Sequence, residues 1–89
     1  MAQAIVDPEQ LRQFAGMLRR YNQQLRESTT TLTQAMGRLS ESWRDQEHHK
    51  FVDEFDEQLR QVQRLVERSD QHIPYLLKKA ELIEQYLQR

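Results

Sequence analysis

The residues best suited to chemistry lie together in the middle of the 89-residue chain, at positions 45–49 (Asp-Gln-Glu-His-His). Asp45 and His49 are four positions apart, so on a helix their side chains would share one face and could approach one metal ion. A structural zinc site needs four ligands, and two from one exposed turn make a poor site, so we expect no bound metal. His48 is expected to contact the end of a helical bundle. The acids of this run suit the positive end of a helix dipole.

Motifs for catalysis are lacking elsewhere in the sequence. It contains no glycine-rich phosphate loop, no nucleophile elbow and no His-Glu-x-x-His zinc helix. We therefore predict no catalytic residues, no cofactor and no enzymatic activity.

The composition narrows the fold class. Apolar residues make up 37% of the chain and charged residues 30%, with two glycines, two prolines and no cysteine. A barrel or sandwich needs turn residues about every 8–12 positions, which this chain cannot supply. The net charge of −1 argues against a general nucleic-acid binder. The basic face formed by Arg12, Arg19, Arg20 and Arg26 is expected to be solvated or to contact an acidic partner.

Heptad patterning predicts one all-α domain over residues 1–89, folded as an antiparallel helix-turn-helix hairpin. We expect helix 1 at about 7–39, capped by Asp7 and Pro8, a turn at about 40–45, and helix 2 at about 46–88 with a kink near Pro74. Gly16 is expected to lie roughly opposite Ser69.

The predicted seam repeats with alternating three- and four-residue steps on both helices. On helix 1 it comprises Leu11, Phe14, Leu18, Tyr21, Leu25, Leu32 and Leu39. On helix 2 it comprises Val52, Phe55, Leu59, Val62, Val66, Ile73, Leu76 and Ile83. Apolar residues off the seam, such as Phe51, Leu65 and Leu77, widen the stripe beyond a two-helix contact. The hairpin is therefore expected to dimerise into a four-helix bundle.

Trp43 is the single tryptophan, and it lies in the connection between the helices. Two interpretations remain open from the sequence: a ring folded onto the hairpin tip, or a ring exposed there for recognition.

Neither a signal peptide nor a membrane span is expected. Residues 1–8 contain no basic start and no apolar run, and the longest apolar stretch, around residues 73–77, is far shorter than the ~20 residues that cross a bilayer.

The sequence resembles the WXG family, the ESAT-like small helical hairpins exported by type VII secretion systems. The similarity rests on Ile5-Val6-Asp7-Pro8-Glu9-x-Leu11, on Ser42-Trp43-Arg44-Asp45 between two long helices, and on the aromatic residues Phe51 and Phe55. Asp45 stands where the family has the glycine of its Trp-x-Gly motif. No tyrosine is followed four residues later by an acid, the family's export signal; Tyr75, for example, is followed by Lys79.

The resemblance implies a small non-enzymatic protein that pairs as a homodimer or with a sister WXG protein, and a secretion ATPase as a candidate partner. It implies a type VII secretion substrate, or the signal-less half of a secreted pair, exported without a cleaved signal. The alternative is a cytosolic helical scaffold or adaptor that is not exported.

Overall fold

A computed structural model describes residues 6–88 as two long helices, α1 (Pro8–Ser42) and α2 (Gln46–Leu87), joined by three residues. The helices pack side by side and antiparallel, which confirms the predicted all-α helix-turn-helix hairpin. Ile5 of the N-terminal motif, most of the segment relevant to a signal peptide, and Arg89 lie outside the described residues.

Local polar contacts define the ends of α1. The Asp7 carboxylate accepts a hydrogen bond from the Glu9 N–H at 2.9 Å, and Pro8 occupies the first turn, where its missing N–H has no cost. The helix continues three residues beyond the predicted end at residue 39. The Ser40 and Ser42 hydroxyls donate to backbone carbonyls of the preceding turn, so these serines belong to the helix and do not interrupt it.

The threonine-rich segment of α1 is helical throughout. Thr30, Thr31 and Thr33 each donate a hydroxyl hydrogen to the carbonyl four residues earlier, at 3.1, 3.1 and 2.8 Å. Each of these three hydroxyls donates its hydrogen within α1, and none donates to α2.

The second helix runs without a break through Pro74 and ends at Leu87, with Gln88 as its C-cap. Pro74 is exposed. A proline removes one intrahelical hydrogen bond, so the bend at Pro74 stays a prediction for this helix.

The contact between the helices is narrow. Its most buried residues are Ala15, Asn22, Val66, Ile73 and Ala80. All eight predicted seam residues of α2 are buried or half-buried, which is the pattern of a helix face in contact. The predicted seam of α1 is only partly in the contact. Its half-buried residues are Leu11, Leu18 and Leu25. Its other residues are 43–55% exposed, namely Phe14, Tyr21, Leu32 and Leu39.

Polar contacts between the helices define their register. Arg12 pairs with Glu84, and the Asn22 amide donates to an Asp70 carboxylate oxygen at 2.9 Å. This register brings Ala15 opposite Ala80, so the small residues at the close approach are these two alanines. The expectation that Gly16 lies opposite Ser69 is wrong, because α1 extends further towards the tip and displaces the pairing along α2.

The hairpin is a rod of 67 × 22 × 16 Å with a radius of gyration of 20.1 Å. A compact domain of this length would have a radius of gyration of about 12 Å. The accessible surface is 7439 Å², whereas a compact monomer of this mass would expose about 5,500 Å². Much of the side surface of both helices is therefore in contact with solvent.

Two ion pairs join the helices, Arg12–Glu84 near the helix termini and Arg26–Asp70 near the middle of the rod, and both shift carboxyl pKa values. Hydrogen bonds from Arg26 and then Asn22 lower the pKa of Asp70, and a hydrogen bond from Arg12 lowers the pKa of Glu84. The same contact with Glu84 raises the pKa of Arg12. These contacts favour the ionised carboxylates, so they favour the folded hairpin at neutral pH.

We expect the hairpin to lose stability in acid through these two carboxylates. A pKa that is lower in the folded chain gives stability above the unfolded pKa, and that stability is lost as the pH falls through the folded pKa. The reference values are 3.8 for Asp70 and 4.5 for Glu84, so the melting temperature should begin to drop near these pH values. Melting curves of wild type and of Asp70→Asn/Glu84→Gln from neutral pH to strong acid would test this. An equally steep acid loss in the double variant would contradict it.

Candidate interaction site at the hairpin tip

The three-residue turn at the tip, Trp43-Arg44-Asp45, caps the end of α1 and the start of α2. The backbone N–H of Trp43 donates to the Leu39 carbonyl at 3.0 Å and caps α1. The Arg44 guanidinium donates to the Glu41 carbonyl at 3.1 Å, which satisfies a second carbonyl of the last turn. The Asp45 carboxylate accepts the His48 N–H at 3.0 Å and is the N-cap of α2. Each residue of this turn therefore has a capping contact.

The indole of Trp43 is folded onto the start of α2 but remains partly exposed. Its ring centroid lies 5.2 Å from the imidazole of His48 in an edge arrangement and 5.7 Å from the ring of Phe51. Phe51 stacks in turn on Phe55 at 5.8 Å. Of the two interpretations left open by the sequence, the packing matches a ring folded onto the hairpin tip, and part of the ring stays exposed; its use in recognition stays a prediction.

His48 lies beneath the indole and is 7% exposed. Its Nε2 atom is 2.7 Å from the Ser40 hydroxyl, which donates its own hydrogen to the Met36 carbonyl. When the Ser40 hydroxyl donates to Met36, its bond with His48 requires the tautomer that carries the hydrogen on Nε2. The other ring nitrogen, Nδ1, is buried and has no hydrogen-bond partner among residues 6–88. The Ser40–His48 contact joins α1 to α2 directly below the turn, so the tip is held by a polar bond and an aromatic cluster together.

The structure assigns the residues considered for a metal to other contacts. Asp45 caps α2, His48 is buried against Ser40, and His49 is exposed with its ring 5.6 Å from that of His48. Over the described range there is no group of three or more histidine, aspartate or glutamate side chains placed to hold an ion. The absence of a bound metal stays a prediction.

A shallow depression of about 510 Å³ opens beside the turn and is lined by Gly37, Ser40, Glu41, Arg44, His48 and His49. The surrounding segment, residues 41–57, contains seven acidic and two basic residues, for a net charge of −5. A surface with one half-exposed tryptophan, a shallow polar hollow and a strong negative charge suits recognition of another protein. Ser40 and His48 are a hydroxyl and an imidazole in hydrogen-bond contact, but His48 is buried and, within the described residues, no third side chain bonds its Nδ1 atom to orient the ring, as a catalytic triad would require.

Comparison with known families agrees with this geometry. The family model described as "Proteins of 100 residues with WXG" matches residues 3–86 of the chain. The chain belongs to the WXG100 family. The predicted resemblance to the WXG family is therefore confirmed. Neither the search of curated proteins nor the search of solved structures produced a match.

Family membership gives the protein its broad class. WXG100 proteins are small ESAT-like helical proteins associated with type VII secretion, they typically pair as dimers, and they are not known as enzymes. Neither helix, over residues 6–88, is long and apolar enough to cross a membrane.

The tip of this WXG100 protein explains how aspartate can replace the glycine of the motif. Asp45 has an extended backbone with φ −83°, so the position does not require the left-handed conformation that favours glycine. Its carboxylate supplies the N-cap that a glycine lacks.

Sequence reasoning missed the contact between Ser40 and His48. The eight-residue spacing across a short turn was the available signal.

Proposed function

We propose that this WXG100 protein is a non-enzymatic substrate of type VII secretion, or the signal-less half of a secreted pair. The observation that carries the proposal is the tip, where the Trp43 ring packs on His48 and Phe51 of α2 and yet remains partly exposed. A rigid aromatic side chain at the end of a rod is suited to recognition, because little conformational entropy is lost when it binds. A secretion ATPase is the candidate for the protein that recognises the Trp43 side chain.

A second hairpin, either another copy or a sister WXG protein, is part of the same proposal. Phe14, Tyr21, Leu32 and Leu39 of α1 are 43–55% exposed, and these residues belong to the seam predicted from the sequence. Packing against a second hairpin would bury them in a four-helix bundle. Tyr21 and Tyr75 are followed at the family's spacing by Leu25 and Lys79, so neither forms its tyrosine-acid pair, and we propose the partner as a source of that export signal.

We expect Trp43→Ala to abolish secretion in the native host while the helices remain. The test is a blot of culture supernatant and cell pellet, with a cytosolic marker to exclude lysis and any neighbouring sister protein co-expressed. Because Trp43 contacts His48 and Phe51, Trp43→Phe is a necessary second variant, which retains an aromatic ring for packing. Loss of secretion in Trp43→Phe with an unchanged melting temperature would identify the indole as the recognised group.

Leu82→Ala is the matched control, since Leu82 is 53% exposed and lies far from the tip. It should be secreted like wild type. Wild-type protein found only in the pellet, with the sister protein present, would contradict export and favour the alternative of a cytosolic scaffold or adaptor. The observation that favours this alternative is that Tyr21 and Tyr75 are followed four residues later by Leu25 and Lys79, neither of which is an acid.

A further inference from the structure

The charges of α2 are separated along the helix. Residues 58–79 contain five basic and two acidic residues, for a net charge of +3, whereas the segment 41–57 next to them has a net charge of −5. The two acids of the basic stretch are turned towards α1, since Asp70 pairs with Arg26 and Glu67 lines the groove between the two helices. The outer side of this stretch therefore keeps its positive charge.

The bases of the stretch share one face of α2. Arg64, Arg68, Tyr75 and Lys79 are all exposed, and at about 100° per residue their directions differ by no more than about 60°. Ile73, nine residues after Arg64, points in the opposite direction and is buried against α1. Within the part of the chain that the structure describes, no ion pair joins Arg64, Arg68 or Lys79 to an acid. We call these four residues the basic ridge.

A shallow hollow of about 250 Å³ opens at one end of the basic ridge, lined by Gln61, Arg64, Leu65 and Arg68. Leu65 is 55% exposed and gives the hollow an apolar wall. The planar guanidinium groups beside it suit carboxylates, to which arginine can donate two parallel hydrogen bonds. Further along the ridge the ring of Tyr75 is 61% exposed. The ridge thus combines arginine and tyrosine, two residue types that protein interfaces favour.

We infer that the basic ridge binds an acidic helix of another protein. Carboxylates of that helix pair with Arg64 and Arg68, and its apolar side chains contact Leu65 and Tyr75. Residues 61–79 extend over ~27 Å at 1.5 Å per residue, which a partner helix of about 18 residues would match. The inference goes beyond the proposed function, because it assigns a partner to the side of α2 that faces away from α1 and depends neither on export nor on pairing of hairpins.

The change of charge along α2 favours a short helix over an extended anionic surface. Asp53 and Glu57 point within about 20° of Arg64, so they lie on the same side of α2 in the acidic segment. The ion pair between Arg60 and Glu57 marks the place where the charge changes sign. A membrane in contact with this whole side would press anionic headgroups against the acids. A helix that ends near position 61 avoids them.

Two arginines of α1 provide a matched comparison. Arg19 and Arg20 are exposed, and neither makes an ion pair within the described residues. Because they are adjacent in sequence, they point about 100° apart and do not form a row along the helix. Neutralising them changes the net charge by the same amount as neutralising Arg64 and Arg68, but leaves the ridge intact.

The test uses the full chain and a fluorescently labelled synthetic helix. The probe is an alanine-based peptide of about 20 residues with glutamates and leucines on one face, and a second peptide has glutamine in place of each glutamate. Anisotropy titrations give the dissociation constants, and melting curves check that each variant is folded. We expect Arg64→Gln/Arg68→Gln to raise the dissociation constant of the glutamate peptide by about tenfold or more, and Arg19→Gln/Arg20→Gln by less than about twofold.

Each contrary result overturns a defined part of the inference. Equal weakening by the two double variants would mean that net charge alone attracts the peptide, and would overturn the assignment to the basic ridge. Equal binding of the glutamine peptide would overturn the acidic chemistry of the partner, and a glutamate peptide that does not bind would overturn the inference as a whole.

Two further arms test the class of partner. Vesicles containing phosphatidylserine and a single-stranded DNA oligonucleotide are titrated with the same variants. Tighter binding of either one than of the glutamate peptide, with the same loss in Arg64→Gln/Arg68→Gln, would overturn the choice of a protein helix. None of these results depends on secretion of the wild-type chain, so a failure here is distinguishable from a failure of the proposed function.

Discussion

Replacing Ile73 with alanine is expected to lower the free energy of unfolding by roughly 2–5 kcal/mol, the range for truncated buried aliphatic side chains. Ile73 is 6% exposed, and only Val66 is comparably large and comparably buried among the apolar residues of the described chain. A small domain is stable by about 5–15 kcal/mol, so this single change removes a large fraction of the total. Denaturant unfolding followed by far-ultraviolet circular dichroism measures the effect.

Leu82→Ala provides the control for Ile73→Ala, since both lie on α2 and Leu82 is 53% exposed. It should change the free energy of unfolding by less than about 0.5 kcal/mol. Both variants should be measured at two protein concentrations, because dissociation of a dimer coupled to unfolding makes the apparent stability concentration-dependent. Similar small effects in both variants would mean that the contact centred on Ile73 is not what holds the hairpin together.

The two helices differ in how well the sequence predicts their contact. On α2 the heptad pattern selects large apolar residues such as Val66 and Ile73, and the structure buries them. On α1 the most buried positions are Ala15 and Asn22, each one residue after a large aromatic residue of the predicted seam. Hydrophobic periodicity selects large residues, whereas the close approach of two helices depends on the small side chains at the contact.

At the tip, the sequence predicts where the turn ends but not which side chains are in contact there. Asp45 is a favourable N-cap residue by type alone, so a turn ending there follows from the sequence. The burial of His48 against Ser40 does not, because both residues are polar and their pairing depends on where α1 ends. The orientation of Trp43 follows from that pairing, since its indole rests on the buried imidazole.

Replacing Asp70 with alanine is expected to destabilise the hairpin, because it leaves a buried polar group without a partner. That group is Asn22, which is fully buried and donates to Asp70 at 2.9 Å. Its Oδ1 atom has no partner within the described part of the chain, so the substitution would leave the whole amide unsatisfied. The Arg26–Asp70 ion pair is largely exposed and should add little, because solvent screens such pairs.

A double-mutant cycle isolates this contact. In an Asn22→Ala background, Asp70→Ala should cost much less than in wild type, because the buried amide that needs Asp70 is gone. Arg26→Ala tests the ion pair separately, and Glu81→Ala, which removes the exposed Lys78–Glu81 pair, serves as the surface control. Additive effects of Asn22→Ala and Asp70→Ala would show that the two side chains are not coupled. Strong coupling would instead show that a single buried amide fixes the register in which the two helices of this WXG100 protein meet.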